Sequence, residues 1–225
     1  MPTSRTVRRQ IITVCRRLYE RGLIAGADGN VSVRTGRGSM LITPAGFSKV
    51  DVEVEDLVEV TWEGARSRKG NRASTEQAMH VRLYRRRSDV GAIVHAHPPI
   101  ATAYAASGEA IPTDVLPEMV FQLGNIAYVP FVIPGTEAFA DAMEPFVNEH
   151  DVFVFANHGA TTVGPSLAIA HQRMESLEHG ARIVWAARSL GGSRSLPPAA
   201  VKALLTQRQT VRSAELTPNE SRSRT

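Results

Sequence analysis

Cysteine is almost missing from this chain: Cys15 is the only one. An intramolecular disulfide framework is therefore excluded. Cys15 falls among Val7, Ile11, Val14 and Leu18 at helical spacing, which reads as a small buried core residue rather than a reactive thiol. Long apolar runs are missing too; none approaches the roughly 18 residues of a membrane span. The basic N-terminus is not followed by an apolar signal segment. These absences predict a protein of the cytoplasm with no membrane partner. Lysine is scarce as well: of 26 basic residues only Lys49, Lys69 and Lys202 are lysine. So strong a preference for arginine reads as genomic base composition rather than selected phosphate contacts. The basic residues are scattered, and the densest runs, Arg16-Arg17 and Arg85-Arg86-Arg87, read as solvated helix faces. A continuous basic stripe of the kind that binds nucleic acid is not seen.

What is present suffices for one folded unit. The 225 residues are 43% hydrophobic, enough to bury a core without disulfides. Apolar positions from Val7 to Leu18 predict an amphipathic helix ended by Gly22. Short alternating strands follow around Val31–Val33, at 39–43 and at 57–62. Ser74 and Gln77 predict a capping box that opens the next helix. GAIVH at 91–95 reads as a buried strand, and Pro98-Pro99 opens a short helix. AYVPFV and VFVFAN read as strands, with a possible helical turn at EMVFQLG before them. A long helix runs from Ser166 until Gly191-Gly192 stops it, and Pro197-Pro198 opens a last short helix. Strands and helices are interspersed without strict βαβ alternation. This predicts one α/β domain, an α/β/α sandwich around a mainly antiparallel sheet. The domain is expected over 1–212 and a disordered tail over 213–225.

The strongest chemical signal is His95-Ala96-His97. On an extended chain, residues two apart point to the same face, so two imidazoles project side by side where Pro98 ends the strand. His158 sits where another apolar strand breaks into Gly159. Three imidazoles suit zinc or a related divalent ion and leave a position for substrate. Glu76 falls in the first turn of the helix expected after Ser74. A helix start attracts anions, and Ser74 and Thr75 add hydroxyl groups there. Gly29-Asn30 and Ala45-Gly46 read either as anion-cradling turns or as plain ones. His80, His171, His179 and His150 read as surface or packing residues.

Taken together, GADGNVSVR, MLITPAG, ASTEQAMH, AIVHAHPP, IPTDVLPEMV, PGT and ANHGA, in that order, resemble the class II aldolase/adducin head family over roughly residues 8–190. The resemblance implies a ring-shaped homotetramer with active sites between subunits. It implies one divalent ion per subunit, zinc first and manganese, cobalt or iron as alternatives. His95, His97 and His158 match the family's metal ligands, and Glu76 matches the carboxylate that contacts the metal and serves as acid/base. Asn30, Gly46, Ser74 and Thr75 match positions that hold a substrate phosphate. The implied activity is cleavage of a ketose 1-phosphate of the fuculose or ribulose type to dihydroxyacetone phosphate and an aldehyde, through a metal-stabilised enediolate. Two tyrosines usual in the fuculose-type aldolases have no counterpart, since the last tyrosine is Tyr128. Glu118 stands in that segment instead, as a glutamate acid/base does in the methylthioribulose-phosphate dehydratases. The alternatives are therefore a decarboxylase of a 3-oxo sugar-acid phosphate or aromatic carboxylate, or a sugar-phosphate dehydratase or epimerase. The non-enzymatic adducin heads lack the metal set, and its presence here argues against that branch.

Overall fold

The computed structural model describes residues 4–66 and 69–216. Its strands are β1 (Asn30–Gly36), β2 (Ser39–Ile42), β3 (Val58–Thr61), β4 (Gly64–Arg66), β5 (Ala92–Ala96), β6 (Ile126–Val129), β7 (Val152–Phe155) and β8 (Gly159–Gly164). They form one sheet in the order β4-β3-β2-β1-β5-β8-β7-β6. Only β6 and β7 pair in parallel; the other neighbours are antiparallel. The helices are α1 (Ser4–Glu20), α2 (Gln77–Arg86), α3 (Pro99–Ser107), α4 (Pro117–Leu123), α5 (Glu137–Ala142), α6 (Leu167–Arg188) and α7 (Pro198–Leu216).

Strand alternation makes two cores, one on each face of the sheet. Val31, Leu41, Val94 and Val154 pack with Ile11 and Leu18 of α1, Tyr104 of α3 and Met174 of α6. Met40, Ile42, Ile93 and Phe153 pack with Met79 and Leu83 of α2 and Phe139 of α5. Helices therefore cover both faces of a mainly antiparallel sheet, as the sequence predicts. Cys15 is fully buried, and burial pushes its thiol up to about 12.

Several local expectations are corrected. Ser74 does not cap a helix through Gln77: α2 begins at Gln77, and the Ser74 hydroxyl accepts from the Glu76 backbone N–H instead. β8 escapes the pattern because GATTVG is rich in glycine and threonine, yet every residue of it is buried. α5 is missed because it has only six residues, capped by the Thr136 hydroxyl. Arg87 is not part of a solvated face but is buried against Asp89 and Asp151. The last helix is not short: α7 has 19 residues and runs past Ser213 to Leu216. The rest of the expected tail, 217–225, lies outside the described residues. Among the described residues, no helix is long and apolar enough to cross a membrane.

Candidate metal centre

The site forms at the middle of the sheet, where β1, β5 and β8 run side by side. Register places Asn30 opposite His95, and His95 opposite Thr161. β5 ends at Ala96, and His97 follows before α3. His158 stands in the tight β7–β8 turn, where the preceding Asn157 adopts a left-handed φ of 55°. Two glycines let these parts close up. A Cβ at Gly159 would lie 2.5 Å from the His97 ring, and one at Gly29 would lie 2.7 Å from the His95 carbonyl oxygen.

His95, His97 and His158 each offer one ring nitrogen within 4.8 Å of the others. Polar groups stand behind two of the rings. Thr161 Oγ1 lies 2.9 Å from His95 Nδ1 and 3.5 Å from the Met79 sulfur. His97 Nδ1 faces Asp28 Oδ2 at 3.5 Å. The Nε2 atoms of His95 and His97 lie 3.2 Å apart. Burial pushes the His95 imidazole down to about 3, against the pull of Glu76. His97 is also lowered, by burial and by His158. With Nδ1–H on both rings, the two Nε2 lone pairs face each other, an arrangement that a cation between them stabilises. The donor set fits a divalent metal ion, with Thr161 and Asp28 as the groups that orient the rings.

Glu76 joins the cluster from the opposite side. Its Oε1 is 2.9 Å from His158 Nε2, and its Oε2 is 3.3 Å from His95 Nε2 and 2.6 Å from Asn30 Nδ2. Burial opposes its ionisation, but His95, His158 and the Asn30 amide outweigh that and hold the carboxyl below its usual range. Phe139 and Phe155 wall off the His158 ring at centroid distances of 5.5 and 6.2 Å.

Of the four expected phosphate-binding residues, Asn30 and Ser74 hydrogen-bond to Glu76, through its carboxylate and its backbone N–H. A bridge between Pro44 and Ala73 lays the loop carrying Gly46 beside Ser74 and Thr75. Asn30 and Ser74 are buried, while Gly46 and Thr75 face solvent. Glu118 is exposed in the first turn of α4, and no hydrogen bond or ion pair joins it to the histidines.

Two contributors are not singled out by the sequence reading. Lys49 is buried and donates to the carbonyls of Ala27 and Phe47 at 2.7 and 2.9 Å. It thereby ties both glycine-bearing loops together; its burial lowers its pKa, against the pull of Cys15, Asp28 and Glu76. His80, read from the sequence as surface or packing, is fully buried and hydrogen-bonded to Asn30 and Ser32. It closes the ASTEQAMH segment, and its spacing of four from Glu76 is the signal that could have drawn attention to it.

The sequence pattern of the Class II Aldolase and Adducin N-terminal domain matches residues 9–185. The L-fuculose phosphate aldolase of Methanocaldococcus jannaschii is 32% identical over 176 residues, which are 78% of this chain and 94% of that protein. The 3-oxo-tetronate 4-phosphate decarboxylase of Escherichia coli O6:H1 is 29% identical over 186 residues, 81% of this chain and 87% of that protein. The crystal structure of YgbL from Klebsiella pneumoniae superposes with a TM-score of 0.84 at 29% identity, covering 91% of this chain and 100% of that one. The chain belongs to the class II aldolase and adducin N-terminal domain family.

Proposed function

We propose that the protein is a metal-dependent carbon–carbon lyase that cleaves a short ketose 1-phosphate by retro-aldol chemistry. The observation that carries this reading is the convergence of three imidazoles on Glu76 beside two glycine-bearing loops. His95, His97 and His158 would hold one divalent ion, zinc first. Bound there, the ion supplies Lewis-acid stabilisation of negative charge on substrate oxygens.

The chain's own groups supply the rest. Glu76 is ionised and flanked by hydrogen-bond donors, so its oxygens can accept a proton from substrate and return it after cleavage. Asn30 orients that carboxylate through Nδ2. Ser74 and Thr75, just before the N-terminus of α2, and the Gly46 loop offer hydroxyls and backbone N–H groups to a phosphate. Phe139 and Phe155 limit water on one side of the cluster. The active unit is a homotetramer of the cytoplasm with sites between subunits.

A second reading is decarboxylation of a 3-oxo acid phosphate at the same centre. It is favoured by the decarboxylase relative, which is nearly as similar as the aldolase one. In that reading, or in the dehydratase one, Glu118 is the acid/base. Metal-loaded protein incubated with pentulose and hexulose 1-phosphates and with 3-oxo acid phosphates separates them by product mass. Dihydroxyacetone phosphate released in a chelator-sensitive way supports the aldolase. Carbon dioxide or a dehydrated ketone, without aldol cleavage of any ketose phosphate, overturns it.

A further inference from the structure

A strand period meets a helix period beneath the metal centre. Asn30 and Ser32, two apart on β1, share one face of the sheet. Glu76, His80 and Tyr84, four apart at the start of α2 and along it, share one face of that helix. The two rows interleave. Asn30 Nδ2 lies 2.6 Å from Glu76 Oε2, and Asn30 Oδ1 lies 2.5 Å from His80 Nε2. His80 Nδ1 lies 2.7 Å from Ser32 Oγ, which lies 2.9 Å from Tyr84 Oη. All five side chains are buried.

With a neutral His80 ring, one set of donors satisfies this file. The Glu76 carboxylate has no proton to give, so Asn30 must turn its NH₂ toward it. The Asn30 oxygen then needs a donor, which makes His80 the Nε2–H tautomer. His80 Nδ1 is left as an acceptor for the Ser32 hydroxyl, and Ser32 in turn accepts from Tyr84. The opposite His80 tautomer would press a nitrogen lone pair onto the amide oxygen. Protons cannot hop along the file, because the Asn30 amide has no hydrogen to pass on without ceasing to be an amide.

We infer that His80 is a positioning residue: as the neutral Nε2–H tautomer it locks the Asn30 amide, and the locked amide holds the Glu76 carboxylate at the histidine cluster. His80 itself makes no hydrogen bond to His95, His97 or His158. The inference rests on the reading of Glu76 as the acid/base, but its structural half can be measured without substrate. Loss of the lock frees the amide to rotate and misplaces Glu76, which lowers kcat by about 10²-fold and moves KM far less.

The test combines a spectrum with two variants. Long-range ¹H–¹⁵N NMR of the zinc-loaded full chain reads the ring protonation of His80 directly at neutral pH. The expected result is a neutral ring with hydrogen on Nε2; hydrogen on Nδ1, or on both nitrogens, overturns the inference and leaves the proposed reaction standing. His80→Leu removes both ring contacts, whereas His80→Gln can still donate to Asn30 and accept from Ser32. The expected outcome is a large loss of kcat in His80→Leu and its recovery in His80→Gln. Undiminished turnover in His80→Leu, or equal loss in both variants, overturns the lock. If His80→Leu does not fold, the spectrum and the rate of His80→Gln decide. If no substrate is cleaved at all, the reaction reading fails and the spectrum alone decides the tautomer.

Discussion

Two buried clusters of ionisable groups differ in the kind of partners they gather. One surrounds Asp151, which is almost fully buried. It meets Arg87 at 2.9 Å, Arg173 at 3.2 Å, Arg208 at 2.6 Å and Arg212 at 3.5 Å. Burial raises the Asp151 pKa, but the arginines outweigh that and hold it below the ordinary value. Each charge there finds an opposite charge, and the cluster ties α7, through Arg208 and Arg212, to Arg87 just past the end of α2 and to Arg173 of α6. The other cluster gathers His95, His97 and His158 with a single carboxylate and leaves neutral nitrogens facing each other. The first arrangement completes a structure. The second gathers three ring nitrogens within 4.8 Å of one another, a donor set that suits a divalent ion.

Perturbing each cluster should break the comparison in a different way. The largest effect is expected from Glu76→Gln, which should lower kcat by about 10²–10⁴-fold, the range of a lost general acid–base group. Thermal unfolding should confirm that the variant remains folded. His97→Ala should lose the ion, and a fall in turnover of about 10²–10³-fold is expected from losing charge stabilisation. Metal content after dialysis checks this independently of rate.

Asp151→Ala should do the reverse. It strands buried guanidinium groups, a loss of about 3–5 kcal/mol in stability measured by denaturant unfolding. Hydrogen exchange should increase across α7, while the metal content of the folded protein stays unchanged. The effect of pH follows from the depressed Asp151 pKa. Its contribution is fully present above the unfolded carboxylate value of about 3.9, and it is lost as pH falls through the lower folded value. The stability gap between wild type and Asp151→Asn should therefore be constant near neutrality and narrow in acid below about pH 4. The smallest effect is expected from Glu118→Gln: kcat/KM for a ketose phosphate should stay close to wild type. A strong loss there would move the assignment toward the second reading.

The histidine cluster could be anticipated because its members announce themselves locally. His95 and His97 stand two apart where β5 ends, just before Pro98, and His158 follows the apolar VFVF. The sandwich was legible for the same reason: period-two strands and period-four helices mark which faces are apolar. What stayed hidden depends on distant pairs. The bond between His80 and Asn30 spans 50 positions and exists only once α2 lies on β1. Arg87 looked solvated because its partner Asp151 is 64 residues away. β8 hid behind glycine and threonine, which the close packing at His97 requires at Gly159. The partners of α7 are distant too: Arg208 meets Asp151 across 57 positions and Arg212 meets Asp89 across 123.

The most direct test of the central claim is elemental analysis of the purified full chain beside His97→Ala and Asp151→Asn. The account predicts about one divalent ion per chain in the wild type and in Asp151→Asn, and a large loss in His97→Ala. Full retention of the ion in His97→Ala, or a wild-type chain that holds no divalent ion after zinc loading, would contradict it.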